Sequence, residues 1–94
     1  MFIRYEQIEV TDNVQTQTAL LVPGRATHAQ LQAQGGNIRY TMDNATTPTG
    51  DVGMLLIANT VYEFLVEDVK RIRFIRDTVA TIYLGIHYSA GRNI

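Results

Sequence analysis

From Asp43 to Asp51 the chain reads DNATTPTGD, a run of carboxylate, amide and hydroxyl side chains with almost nothing apolar. Oxygen donors of this kind suit two chemistries. One is a hard cation such as calcium, which takes about six to eight oxygens and several carboxylates. The other is a sugar, held by hydrogen bonds to its hydroxyls. Only Asp43 and Asp51 are carboxylates here, and the alternating acidic spacing of an EF-hand is absent. The same residues also make an ordinary connection. Asp43-Asn44 starts an Asx turn, Pro48 fixes its own φ, and Gly50 and Gly53 tolerate positive φ. The expectation is a structural loop that holds no metal.

A second group is basic. Lys70, Arg71, Arg73 and Arg76 suggest phosphate contacts, but Glu67, Asp68 and Asp77 flank and neutralise them. Over the whole chain 8 Lys and Arg oppose 9 Asp and Glu, for a net charge of −1. A nucleic-acid-binding domain of this size carries a clear positive excess and stacking aromatics. The basic run is therefore expected to be a solvated face or a source of intersubunit ion pairs. Arginine suits the latter because its planar guanidinium grips a carboxylate with two hydrogen bonds.

Catalytic groupings are sparser. His28 and His87 are far apart in sequence, and neither sits in a ligand-spaced motif. Ser89 is the only serine, and no nucleophile-elbow pattern surrounds it. An acid pair from Glu6, Glu9, Glu63 or Asp51 requires assumed positions in space. Tyr40, Tyr62, Tyr83 and Tyr88 read as core or interface aromatics rather than a sugar-stacking platform. No enzyme and no cofactor are expected.

The elements that must position these groups follow from hydrophobic periodicity. In ATIYLGIHYSA, Ala80, Ile82, Leu84, Ile86 and Tyr88 point one way, while Thr81, Tyr83, Gly85 and His87 point the other. That alternation describes a strand with one packed face. Ala29, Leu31 and Ala33 alternate with Gln30, Gln32 and Gln34 in the same manner. Helix is the rival there, since these are helix formers and Gly35-Gly36 would end one, but a helix this short is marginal. Near the N-terminus, Ile3 and Tyr5 share one face and Phe2, Ile8 and Val10 the other. Met54 to Ile57 reads as a short strand, with a turn at Asn59 and another strand near Val61 to Val66. Val61 to Arg76 also fits an amphipathic helix by spacing. Its Val, Ile, Phe and Tyr content favours two strands parted at Glu67-Asp68. Short strands between regular turns indicate an all-β chain, an antiparallel β-sandwich or jelly-roll-like barrel, as a single domain over residues 1–94.

At 94 residues the core is modest. Small domains of this kind lean on disulfides, metals or partner subunits. With no cysteine, oligomerisation is the remaining device. MFIRYEQIEV carries Arg4 and Glu6 where a signal peptide needs an apolar run, and no segment approaches a membrane span. A soluble protein made in a cytoplasm, with no membrane partner, is expected.

Several short motifs recur in one order along the chain: Val22-Pro23, Ile38-Arg39-Tyr40, Asp43 with Thr47-Pro48-Thr49, Gly53, Leu56, Arg73-Phe74-Ile75 and Tyr88. In this order the chain resembles small virion-associated proteins of tailed bacteriophages, over nearly its whole length. Asn44 replaces the usual Gly of the loop but also tolerates left-handed angles, and Asn59-Thr60 stands where that class often has Ala-Gly. The resemblance implies an all-β capsid decoration or cement protein, or another head, neck or tail component. It would work as an oligomer, with three copies favoured, bound to the major capsid protein or other virion proteins. Contact residues are expected at Arg39, Arg71, Arg73, Tyr83 and His87, on faces opposite the core. The core is expected to hold Leu31, Ile38, Tyr40, Leu56, Phe74, Ile82, Leu84 and Ile86. A second possibility is a sugar-binding receptor-recognition or adhesion module, using the Asp43–Asp51 loop with Tyr62 or Tyr83. A third is a small α+β adaptor with Val61 to Arg76 helical.

Overall fold

The structure, a computed structural model, describes residues 1–77 and 79–90. Eight strands run in chain order: β1 (Phe2–Val10), β2 (Gln15–Thr16), β3 (His28–Gln34), β4 (Ile38–Thr41), β5 (Met54–Leu56), β6 (Val61–Leu65), β7 (Arg73–Arg76) and β8 (Ile82–Ser89). A 3-10 turn at Gln17–Ala19 and one helical turn, α1 (Val66–Val69), are the only helical segments among the described residues. The strands form two four-stranded antiparallel sheets, β1-β8-β3-β6 (sheet A) and β2-β7-β4-β5 (sheet B).

Alternation explains which side of each strand is buried. Ile82, Leu84, Ile86 and Tyr88 of β8 and Ala29, Leu31 and Ala33 of β3 enter one buried cluster. Ile38, Leu56, Ile72 and Phe74 reach the same cluster from the β4, β5 and β7 side. Tyr40, expected in the core, is half-buried and meets Phe64 edge-on with ring centroids 5.7 Å apart. All polar side-chain atoms buried among the described residues have hydrogen-bond partners, so the core carries no unpaired polar group that would oppose folding.

Two expectations need correction. Phe2 does not share the inner face with Ile8 and Val10. The register of β1 against β8 shifts between Phe2 and Arg4, and one extra residue there reverses the facing of everything before it. Phe2 therefore lies outside, edge-on to His87 at 5.0 Å. The strand expected up to Val66 stops at Leu65, because Val66 begins α1 with Glu67 and Asp68 in its first turn. The helical turn buries both Val66 and Val69, which strand alternation could not do across three residue steps. Val61 to Arg76 is thus two strands, but in different sheets: β6 is an edge of sheet A and β7 lies inside sheet B.

Candidate interaction surface

The Asp43–Gly53 connection is an irregular loop tied to itself. Asp43 Oδ1 accepts the backbone N–H groups of Ala45 and Thr46 at 3.0 and 2.8 Å, and Oδ2 accepts the Thr46 hydroxyl. These bonds, the Thr46 hydroxyl above all, favour the ionised form and lower the Asp43 pKa to about 2. Asn44 takes a positive φ of 59°, which asparagine tolerates better than most residues. Thr49 Oγ1 accepts the N–H groups of Asp51 and Val52. The Asp43 carboxylate and the Thr49 hydroxyl are thus turned onto the loop's own backbone, and no group of three potential metal ligands occurs among the described residues.

Arg73 and Arg39 hold this loop from β7 and β4. Arg73 donates from Nη2 to the Asn44 carbonyl and from Nη1 to the Ala45 carbonyl, both at 3.1 Å. Arg39 pairs Nε with Asp77 Oδ1 at 3.1 Å and donates Nη1 to the Gly53 carbonyl at 3.2 Å. Two of the three arginines expected at an interface, Arg39 and Arg73, therefore have internal partners. Arg71 follows α1, exposed, with its backbone N–H on the Asp68 carbonyl.

The other two expected residues, Tyr83 and His87, lie together on the outer face of sheet A. Register builds this face row by row. Glu9, Tyr83 and Gln34 cross it at one level, Gln7, Gly85, Gln32 and Val61 at the next, and Tyr5, His87, Gln30 and Glu63 at the third. His87 is flanked edge-on by Phe2 and Tyr5, each with its centroid 5.0 Å away. Gly85 leaves a gap in the middle row. Through it Gln7 of β1 reaches over β8 and donates Nε2 to Gln34 Oε1 of β3 at 2.6 Å. Gln34 in turn donates to Gln32 at 3.1 Å. A side chain at Gly85 would occupy this passage, since a Cβ there falls 2.6 Å from Gln34 Nε2 and 2.9 Å from the Tyr5 hydroxyl.

Around that gap is a shallow depression of about 100 Å³ lined by Tyr5, Gln30, Gln32, Gln34, Val61 and His87. Sequence reasoning overlooked Phe2, Tyr5, Gln7 and Gln34 as members of this surface. Mid-strand Gly85 was the signal, because glycine in a strand marks close approach by another group. His28, at the margin, pairs Nδ1 with the Thr27 hydroxyl at 2.9 Å. No family model, curated protein or solved structure matches the chain.

Proposed function

We propose that this is a non-enzymatic virion structural protein, a β-sandwich or jelly-roll-like module that attaches as an oligomer to the head of a tailed bacteriophage and stabilises it. The observation behind this reading is how side chains are divided between fold and surface. Arg39, Arg73, Asp43 and Glu6 hold the molecule together. Meanwhile Phe2, Tyr5, Val61, Leu65 and Tyr83 stay exposed on the outer side of sheet A. Exposed aromatic and aliphatic groups gathered on one face mark a contact surface, and aromatic residues are enriched in protein interfaces. The resemblance of the motif order to small virion-associated proteins is what favours the major capsid protein, or a neck or tail protein, as the partner.

Cosedimentation with purified heads and tails of the parent phage tests this. Wild-type protein travels with the heads, and a Tyr83→Ala/His87→Ala variant does so less. Protein that stays in the supernatant with heads and tails alike sinks the proposal. The Gln-lined depression beside Tyr5 and His87 favours a second reading, a sugar-binding module, because amides and aromatic rings together recognise hydroxyls and ring faces. That site is on sheet A rather than on the Asp43–Asp51 loop, where the Asp43 carboxylate and the Thr46 and Thr49 hydroxyls already have partners. A glycan array with no signal removes it.

A further inference from the structure

We propose that β1 is a self-pairing edge. In this arrangement the β1 strands of two copies of the chain join antiparallel about a two-fold axis at Tyr5, so that sheet A runs on from one copy into the next. The inference does not depend on the virion reading.

Sheet A has β1 and β6 at its edges, and sheet B has β2 and β5. β1 spans nine residues against five, two and three for the others. An unpaired edge is a row of free N–H and C=O groups that another strand can complete. Two contacts show which groups of β1 are free. Met1 and Ala90 exchange both bonds: the Ala90 N–H donates to the Met1 carbonyl at 2.9 Å, and the Met1 amino group to the Ala90 carbonyl at 2.8 Å. By the strand period, Tyr88, Ile86, Leu84 and Ile82 also turn their backbone groups toward β1. Their partners Arg4, Glu6, Ile8 and Val10 therefore bond inward, and Tyr5, Gln7 and Glu9 bond outward. The Glu9 carbonyl agrees with this phase, since it accepts Gln15 Nε2 at 3.3 Å. That contact closes one end of the edge and leaves Tyr5 and Gln7 open.

Charge selects the register. Centred on Tyr5, the pair sets Arg4 of each copy opposite Glu6 of the other, at non-hydrogen-bonded sites where side chains come closest. Arg4 is exposed and makes no ion pair among the described residues. Glu6 uses Oε2 for Tyr88 and Leu21, leaving Oε1 for the arginine. Centring on Gln7 instead sets Arg4 against Val10, and Tyr5 against Glu9, whose carbonyl is already engaged. Apolar groups border the seam. Met1, Phe2 and Leu21 are exposed, and Ile3, Val22 and Pro23 line an open groove beside Arg4. No Lys or Pro within β1 blocks the edge. A two-fold seam makes even-numbered assemblies, where the phage resemblance implies three copies.

The chain contains no cysteine, so single-cysteine variants report the register. Tyr5→Cys forms a covalent dimer on mild oxidation, because facing Cα atoms at a hydrogen-bonded site lie about 5.5 Å apart. Gln7→Cys does not, since its two copies sit about 13 Å apart along the strands. Wild-type protein sediments as a dimer, and Arg4→Glu raises its dissociation constant about tenfold or more with an unchanged circular dichroism spectrum. A monomeric wild type, equal cross-linking through Gln7→Cys, or a dimer indifferent to Arg4→Glu overturns the proposal.

Discussion

The Tyr88 hydroxyl donates to Glu6 Oε2 at 2.6 Å, joining β8 to β1 through the side of sheet A that faces the core. The same oxygen accepts the Leu21 N–H at 3.0 Å, so one carboxylate ties two strands to the segment that follows the 3-10 turn. Tyr88→Phe keeps the ring and removes the donor, leaving Glu6 short of a partner. A loss of about 1–3 kcal/mol in denaturant unfolding is expected. Burial, and then the bond to Glu6, push the Tyr88 pKa far above its ordinary 10.0. A folded-state pKa raised in this way gives stability that is full below about pH 10 and lost as pH rises beyond it. Unfolding midpoints measured from pH 9 to 11 should fall for wild type and stay flatter for Tyr88→Phe.

Leu84 is completely buried, whereas Leu65 is 54% exposed at the β6 edge. Leu84→Ala removes contacts the core cannot replace and should cost about 2–5 kcal/mol. Leu65→Ala should change stability by about 0.5 kcal/mol or less. Urea titrations of the two variants check the difference, and equal losses would mean that the inner face is assigned to the wrong side.

Loop order is expected to follow Asp43. Its pKa of about 2 lies below the ordinary 3.8, so its contribution is present above pH 4 and lost as pH falls toward 2. Protection of the Ala45 and Thr46 amides, taken relative to their intrinsic exchange rates at each pH, should fall over that window in wild type and be low throughout in Asp43→Ala. Arg73→Ala should quicken exchange across residues 44–47 while leaving β8 protected. No effect on the loop would return Arg73 to the pool of contact residues.

Glycine replacements should separate by what their Cβ meets. Gly35 has φ +94° and a Cβ position 2.5 Å from the Thr81 carbonyl oxygen, and Gly53 has φ +120° with one 2.9 Å from the Tyr40 carbonyl oxygen. Backbone cannot step aside, so Gly35→Ala and Gly53→Ala should each cost about 1–3 kcal/mol. At Gly85 the obstructing atoms end flexible side chains. Gly85→Ala should fold, with a smaller loss and a broken Gln7–Gln34 bridge, visible as changed side-chain amide resonances.

Strands with one clean face were readable without coordinates. Ala29 to Gln34 and Ile82 to Tyr88 each alternate through several repeats, and a period of two carries that information locally. The loop's Asx turn was equally local, because Asp43 binds residues two and three positions ahead. What resisted depends on distance in space. A single extra residue near Ile3 turned Phe2 to the outside, and no periodicity count sees an insertion so close to a strand's start. Arg39 finds Asp77, and Arg73 finds Asn44 and Ala45, only because β4 and β7 are neighbours in sheet B. Strand pairing across long separations is not written in local pattern, so these arginines read from sequence as contact residues on an outer face. The surface of sheet A was half legible. Its β8 and β3 rows follow from alternation, while the Gln7 bridge requires knowing that β1 and β3 flank β8.

The order β1-β8-β3-β6 has a kinetic corollary. The strand that fills the middle of the sheet, β8, is the last of the eight to leave the ribosome, and the outermost, β1, is the first. Until residues 82–89 emerge, β1 has no neighbour and β3 has only β6. Sheet A therefore cannot grow by sequential hairpins, and its folding should be slow, on a scale of milliseconds to seconds once β8 is free to pair.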